Sequence, residues 1–172
     1  MGFETVRLSE GGEKMVEIRT YRLADTDEII QLVLHCQNDG SRPWVTIDDQ
    51  PDLLHIREKY MTGRGGFWVA SDRGKIVGSI GLLDCGNGTG ILKKFFVYEP
   101  YRGKPCHLGR RLYSALLEHA KAQGIKSLVL DTPKNTDRAH LFYEKAGFQK
   151  IEQPPVSYDY PYKDSDFYYA EI

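Results

Sequence analysis

The sequence predicts a single α/β domain built on a mixed β-sheet, and three observations lead there. Segments of period-two alternation interleave with segments of helical period in the order β-α-α-β-β-β-α-β-α-β-β, with no repeat and no linker-like interruption. The length, 172 residues, suits one domain over 1–172, with a core of about 16–172 and a loose polar arm at 1–15. A chain of that size buries roughly 70% of its unfolded surface, so its core needs no disulfide or metal staple. Apolar content of 41% and charged content of 27% belong to a folded globular chain and exclude disorder.

Each element has a local reason. Residues 16–21 (VEIRTY) alternate and read as a strand. Asp25 opens a helix in a capping-box arrangement with Glu28, and Ile29, Leu32, Val33 and Cys36 follow at helical spacing until Asn38-Asp39-Gly40. Pro51 suits the first position of a second helix reaching Tyr60. Strands at 67–71 and 76–83 flank Asp72-Arg73-Gly74-Lys75 as a hairpin. Residues 86–90 (GNGTG) resemble a phosphate loop in composition, but they lie between two strands, so a hairpin turn is predicted. The strand at 91–98 (ILKKFFVY) leads through a loop into an amphipathic helix over 108–123, with Leu112, Ala115, Leu116 and Ala120 on one face and Gly124 as its cap. A strand at 126–130 ends in Asp131-Thr132-Pro133. A helix at 137–145 stops at Gly147, and strands at 148–151 and 166–172 complete the order.

Charge and cysteine usage narrow the function. With 23 Lys plus Arg against 24 Asp plus Glu, the chain lacks the basic excess that binding a nucleic-acid duplex requires. Cys36, Cys85 and Cys106 show no metal-ligand spacing, and they are expected to be reduced thiols in a cytoplasmic protein. No apolar run approaches the roughly 20 residues that span a bilayer, and the opening Met-Gly-Phe lacks the Ser or Thr of a myristoylation signal. His35, His55 and His119 fall on helices without acidic or thiol partners, so structural or solvated roles are expected rather than metal binding.

One segment carries chemistry. A strand (91–98), a Gly- and Arg-containing loop (102–107) and a helix beginning near Leu108 create an anion site, because the first helical N–H groups lack internal acceptors and the helix dipole favours negative charge. Lys93, Lys94, Arg102, Lys104, Arg110 and Arg111 add positive charge, and a pyrophosphate fits. Neither the P-loop pattern nor a G-x-G-x-x-G fingerprint is present.

These residues carry a resemblance to the GNAT superfamily of N-acetyltransferases. Phe96-Val97, Arg102-Gly103-Lys104 and Leu108-Gly109-Arg110 are similar to that family's strand and Gln/Arg-x-x-Gly-x-Gly/Ala element. Ala139, Tyr143, Gly147 and Phe148 match its Ala-x-x-x-Tyr-x-x-x-Gly-Phe element, one helix and one strand later. Pro105 and Cys106 appear inserted, and His107 stands where the first glycine is expected, which restricts positive φ.

The resemblance implies a mostly antiparallel mixed sheet, flanked by helices and splayed where acyl-CoA binds. It implies acetyl-CoA as acyl donor, an acceptor that is a small-molecule or peptide amine, and direct attack in a ternary complex. No nucleic-acid or membrane partner is implied, and a homodimer stays open. Phe96 and Val97 would present backbone groups near the thioester, and Gly103, Lys104, Leu108, Gly109, Arg110 and the Arg102 side chain would hold the diphosphate. Asn135, one place earlier than the family's usual asparagine relative to Ala139, would contact the CoA arm. Tyr143 would protonate the departing thiolate, although by pattern alone it is equally a core aromatic. The family's glutamate is missing, its positions being held by Gly90, Ile91 and Leu92; Asp131, Glu99, His140 or a water relay are left as the base. The aromatic run at 158–162 either walls the acceptor site, covers a dimer partner or packs as an ordinary strand and turn. The alternative is a non-catalytic acyl-CoA-binding sensor with the same fold.

Overall fold

The structure, a computed structural model, describes residues 5–6 and 16–172. In chain order the elements are β1 (Thr5–Val6), β2 (Val16–Thr20), α1 (Thr26–Gln37), α2 (Ile56–Tyr60), β3 (Gly66–Asp72), β4 (Lys75–Asp84), β5 (Thr89–Val97), α3 (Leu108–Ala122), β6 (Ser127–Pro133), α4 (Asp137–Lys145), β7 (Gln149–Ile151) and β8 (Ser165–Glu171). The strands make one sheet in the order β1-β2-β3-β4-β5-β6-β8-β7. Every neighbouring pair is antiparallel except β5 and β6.

Period-two alternation sorts side chains into two cores, one on each face. In β3, Phe67 and Val69 join Ile29, Leu32 and Val33 of α1 and Ile56 and Tyr60 of α2. Trp68 and Ala70, between them in sequence, join Leu108, Leu112, Leu116 and Ala120 of α3 on the opposite face, together with Tyr143 of α4. The β3–β4 turn has Arg73 at φ 51 and Gly74 at φ 86, the pair of positive angles a two-residue type I′ hairpin needs. The Gly-rich segment before β5 is a hairpin turn, closed by the Thr89 N–H donating to the Gly86 carbonyl at 3.0 Å.

Four local expectations are corrected. Thr5 and Val6 pair with Glu17 and Val16 and are not loose; the rest of the arm lies outside the described residues. The Asp25–Glu28 capping box does not form. Arg19 takes both Asp25 carboxylate oxygens, at 2.7 and 2.8 Å, and the Arg22 N–H reaches the same group at 2.8 Å. Glu28 instead accepts the Ile76 N–H at 2.8 Å, tying α1 to β4. The second helix is split into a 3₁₀ turn (Pro51–Leu54) and α2, with His55 non-helical at φ −137 and ψ 45. Finally, Asp131-Thr132-Pro133 does not end β6 as a turn: these residues pair with Phe167, Asp166 and Ser165 of β8, so sheet pairing overrides their turn preference.

Two irregularities position the site. Between Ser79↔Phe96 and Gly81↔Lys93, β5 carries one residue more than β4, and Lys94 sits at φ 54, a β-bulge. On the other side, β5 and β6 pair only at Thr89↔Ser127, Gly90↔Leu128 and Ile91↔Val129. Beyond Ile91 the strands part, although β5 runs on to Val97 and β6 to Pro133. The sheet is split open at its one parallel pair.

Candidate active site

The split opens into a cleft of about 540 Å³, lined by 92–97 of β5, 131–133 of β6, the first turn of α3 and the inner face of α4. Its mouth is an anion cradle. Gly103 (φ 67) and His107 (φ 45) turn the loop, and the His107 N–H donates to the Gly103 carbonyl at 2.8 Å. His107 therefore adopts the left-handed conformation that the sequence suggested it would resist, at some conformational cost. The α3 ladder starts with Arg111 N–H donating to His107 C=O at 3.1 Å, leaving the Leu108, Gly109 and Arg110 amides without intrahelical acceptors. Gly109 and Arg110 line the cleft, and Arg138, at the start of α4, joins them. No pattern in the sequence singled Arg138 out, because only the fold brings the two helix N-termini together.

Other basic residues go elsewhere. Arg111 turns toward the Val16 carbonyl, and Lys104 is exposed and does not line the cleft. The Leu108 side chain is in the core, so only its amide is available. Arg102 lines the cleft, but its Nε donates to the Val97 carbonyl at 2.7 Å. That bond fixes the orientation of β5. In an extended strand a residue's N–H and C=O point the same way, so Val97 presents both to the gap. Phe96, the register partner of Ser79, directs its backbone groups to β4, and Val97 and Phe95 are the residues whose backbone faces the gap. Asn135 lines the cleft beside Thr136.

Tyr143 projects into the same cleft from α4, ringed by Phe95, Phe142, Phe148 and Tyr168 at centroid distances of 5.7–6.4 Å. Burial, and then the nearby Asp131 carboxylate, push its phenol well above the usual tyrosine range. The three residues left open as base are separated by the structure. Glu99 is exposed and off the cleft. His140 has both ring nitrogens engaged, Nδ1 with the Tyr168 hydroxyl at 2.8 Å and Nε2 with the Pro133 carbonyl at 3.0 Å. Asp131 lines the cleft, and its Oδ1 accepts the Tyr158 hydroxyl at 2.9 Å. Burial raises its carboxyl, opposed by Tyr158 and by Lys93 and Lys94.

Lys94 is a residue that sequence reasoning placed at the phosphate and the structure places at the inner end of the cleft. It is 6% exposed, its Nζ donates to Gln50 Oε1 at 2.6 Å, and Asp52 lies 3.6 Å away. Burial pulls its ammonium down to about 8, with Asp52 opposing. From the aromatic run at 158–162, Tyr158 reaches Asp131, and Pro161 and Tyr162 wall the cleft opposite Arg42, whose guanidinium lies 5.7 Å from the Tyr162 ring centre. Among the described residues no His, Cys and acidic side chains cluster as a metal site, and no helix is long and apolar enough to cross a membrane.

Known proteins resemble this chain in sequence and fold. The family described as "Acetyltransferase (GNAT) family" matches residues 28–148. Human N-acetyltransferase 8 is 29% identical over 121 residues, covering 66% of this chain and 53% of its own length. Its rat counterpart is 35% identical over 103 residues, 58% of this chain and 46% of its own. The chain thus spans about half the length of these curated relatives. An acetyltransferase from Streptococcus agalactiae superposes with a TM-score of 0.86 at 36% identity, covering 91% of this chain and 98% of that one. A GNAT-family acetyltransferase from Staphylococcus aureus gives 0.84 at 31%, with 91% and 98% covered. The PaiA N-acetyltransferase of Thermoplasma acidophilum, solved in complex with coenzyme A, shares the fold at 17% identity and a TM-score of 0.68, covering 91% of this chain and 99% of that one. With the split sheet, the amide cradle and the family match over most of its length, this chain belongs to the GNAT acetyltransferase family.

Proposed function

We propose that the chain transfers an acetyl group from acetyl-CoA to a primary amine by direct attack in a ternary complex. The observation that carries this reading is the early end of β5–β6 pairing, which leaves backbone groups of β5 open beside the α3 amide cradle. A buried polar edge of that kind requires a partner, and an extended amide-bearing arm can complete it as an added strand would.

The residues fit the donor. The Leu108, Gly109 and Arg110 amides with Arg110 and Arg138 would hold the diphosphate, and Asn135 stands along the path inward. The Val97 carbonyl, now held by Arg102, would be shared with or ceded to the arm. The Val97 N–H, on the cleft side of β5, would donate to the acyl oxygen as negative charge grows there, and a preorganised donor lowers such a barrier by about 3 kcal/mol. Holding amine and acyl group together supplies much of the remaining acceleration. Tyr143 gives its phenolic proton to the departing sulfur. A phenol in the cleft supports transfer over mere binding.

The test is thiol release and product mass from acetyl-CoA incubated with a panel of primary amines, with calorimetric titration of acetyl-CoA alongside. Acetyl-CoA binding together with acetylation of at least one amine is expected. Binding without transfer to any amine would favour a sensor, and absence of binding would remove the reading altogether.

A further inference from the structure

We propose that Asp131 is the general base that takes a proton from the acceptor's ammonium group, entering from the sheet face opposite Tyr143. This rests on the acyltransferase reading above and adds to it the residue that the missing glutamate left unassigned.

Geometry makes the case first. Asp131 lies two residues past Val129, the last β6 residue paired with β5, so it stands at the apex where the strands part. Alternation along β6 sends Leu128 and Leu130 to the core under α3, and Val129 and Asp131 to the other face. Thr132 follows Leu130 and meets Thr136 beside α4 at 2.9 Å. Tyr143 reaches the cleft from the α3 and α4 face. A proton donor for the leaving sulfur and a carboxylate for the incoming nitrogen are thus on opposite sides of the opening. Acyl transfer through a tetrahedral intermediate needs one group that takes a proton from nitrogen and another that gives one to sulfur, and the two are separated here.

The carboxylate is also free to act. Tyr158 donates to Oδ1, whereas Oδ2 takes no hydrogen bond from another described residue, and the side chain is half-buried on the cleft wall. The other acids on the cleft, Asp39 and Asp137, are exposed at its rim, and Asp39 is capped by Ser41. The groups facing Asp131 are Lys93 and Lys94 from β5, Tyr158 from the segment before β8, Tyr60 from α2 and Tyr143 from α4. Burial raises the Asp131 carboxyl and strengthens it as a base, while Tyr158, Lys93 and Lys94 oppose that rise.

The protons balance. Oδ2 takes one proton from R–NH₃⁺, and the freed nitrogen lone pair forms the C–N bond. The C–S bond breaks with its electron pair on sulfur, which takes the phenolic proton of Tyr143. The second proton that nitrogen sheds restores Tyr143 through solvent. Asp131 returns its own proton to water, so each turnover releases one proton.

The test compares Asp131→Asn with the wild type on the panel's best amine and on an analogue of it with a trifluoromethyl group on the amine-bearing carbon, which is mostly neutral at pH 7. With the basic amine, kcat/KM is expected to fall about 100-fold; with the fluorinated amine the fall stays within about 3-fold. Acetyl-CoA affinity by calorimetry should be unchanged. Equal losses on both amines, or no loss on the basic one, overturn the base role. Independently of activity, the aspartate ¹³C-carboxyl resonance missing from Asp131→Asn should titrate above the ordinary aspartate value; a midpoint at or below that value overturns it too. Tyr158→Phe guards against misfolding of the first variant. Losing its hydrogen bond raises the carboxyl further, so the acidic limb of kcat/KM moves to higher pH, and an unmoved limb counts against the proposal. A wild type that acetylates no amine sinks the acyltransferase reading itself, which is a different failure.

Discussion

The two ends of β5 belong to one continuous strand and do opposite things. At Thr89–Ile91 the strand is paired on both sides, with β4 and with β6, and Gly90 and Ile91 are buried. At Lys94–Val97 it keeps only β4, and its other edge faces a cleft. The bulge at Lys94 separates the two regimes, since an extra residue bends the strand and changes which face its side chains take. The closed end obtains its hydrogen bonds from the protein. The open end borrows donors from Arg102 and the Cys36 thiol at the Val97 carbonyl and is built to obtain the rest from a ligand. Damage to the closed end should therefore appear in stability, and damage to the open end in turnover or affinity.

The sharpest way to break this division is Tyr143→Phe. Losing the phenolic proton should lower kcat about 1,000-fold, roughly 4 kcal/mol in the barrier, while the acetyl-CoA dissociation constant stays within about 2-fold. Single-turnover kinetics and calorimetry read the two quantities separately; a variant with wild-type kcat would make Tyr143 a packing residue. Lys94 tests the boundary itself. Its folded ammonium is lowered from 10.5 to about 8, so between those values the unfolded chain holds a proton the folded chain has released. Stability therefore rises with pH across that window and loses the gain as pH falls back through about 8. Relative to Lys94→Met, the wild type should gain about 3 kcal/mol over that range in urea unfolding. A flat difference would mean that Lys94 is not buried at the cleft's inner end.

What was legible in the sequence was what local physics decides. Periodicity gave the order of elements, the Asp72–Lys75 turn announced a hairpin, and Gly124 marked the end of α3. The anion cradle was legible because strand, glycine, arginine and helix are contiguous. What failed depends on side-chain partners and backbone geometry that a local pattern does not display. Asp25 looked like a cap, but Arg19 on the neighbouring strand competes for its carboxylate. Asp131-Thr132-Pro133 looked like a turn, but β8 supplied partners for a longer strand. Lys94 looked like a phosphate ligand because the bulge that redirects it occurs at a non-glycine residue, with no signal in composition. Arg138 reaches the cleft, and Tyr158 reaches Asp131, only once α4 and the segment before β8 have folded into place.

At the closed end, Gly90→Val is the complementary perturbation. A Cβ there would lie 2.6 Å from Leu82 Cδ1 and 3.3 Å from Leu128 Cδ2, inside a core that has no slack. Overpacking of this kind costs about 2 kcal/mol, which lowers the melting temperature by several degrees in a chain of this length. The folded fraction should keep its kcat, because the three-residue pairing lies below the apex rather than in the cleft. An unchanged melting temperature with reduced kcat would reverse the roles assigned to the two ends.

The smallest effect belongs to the mouth. Arg110 is exposed on the first turn of α3 and lines the cleft, so Arg110→Ala removes a charge without disturbing the core. Surface substitutions of this sort move stability by less than about 0.5 kcal/mol. Its contribution to holding a diphosphate is partly screened by salt, whereas the α3 amides beside it are fixed in place. The expected outcome is a rise in KM for acetyl-CoA of about 5-fold at low ionic strength, about 1 kcal/mol, shrinking toward wild type as salt is added. The kcat and melting temperature should not move. A salt-independent rise would instead mean that Arg110 shapes the loop at Gly103–His107 and that the cradle depends on side-chain packing more than on charge.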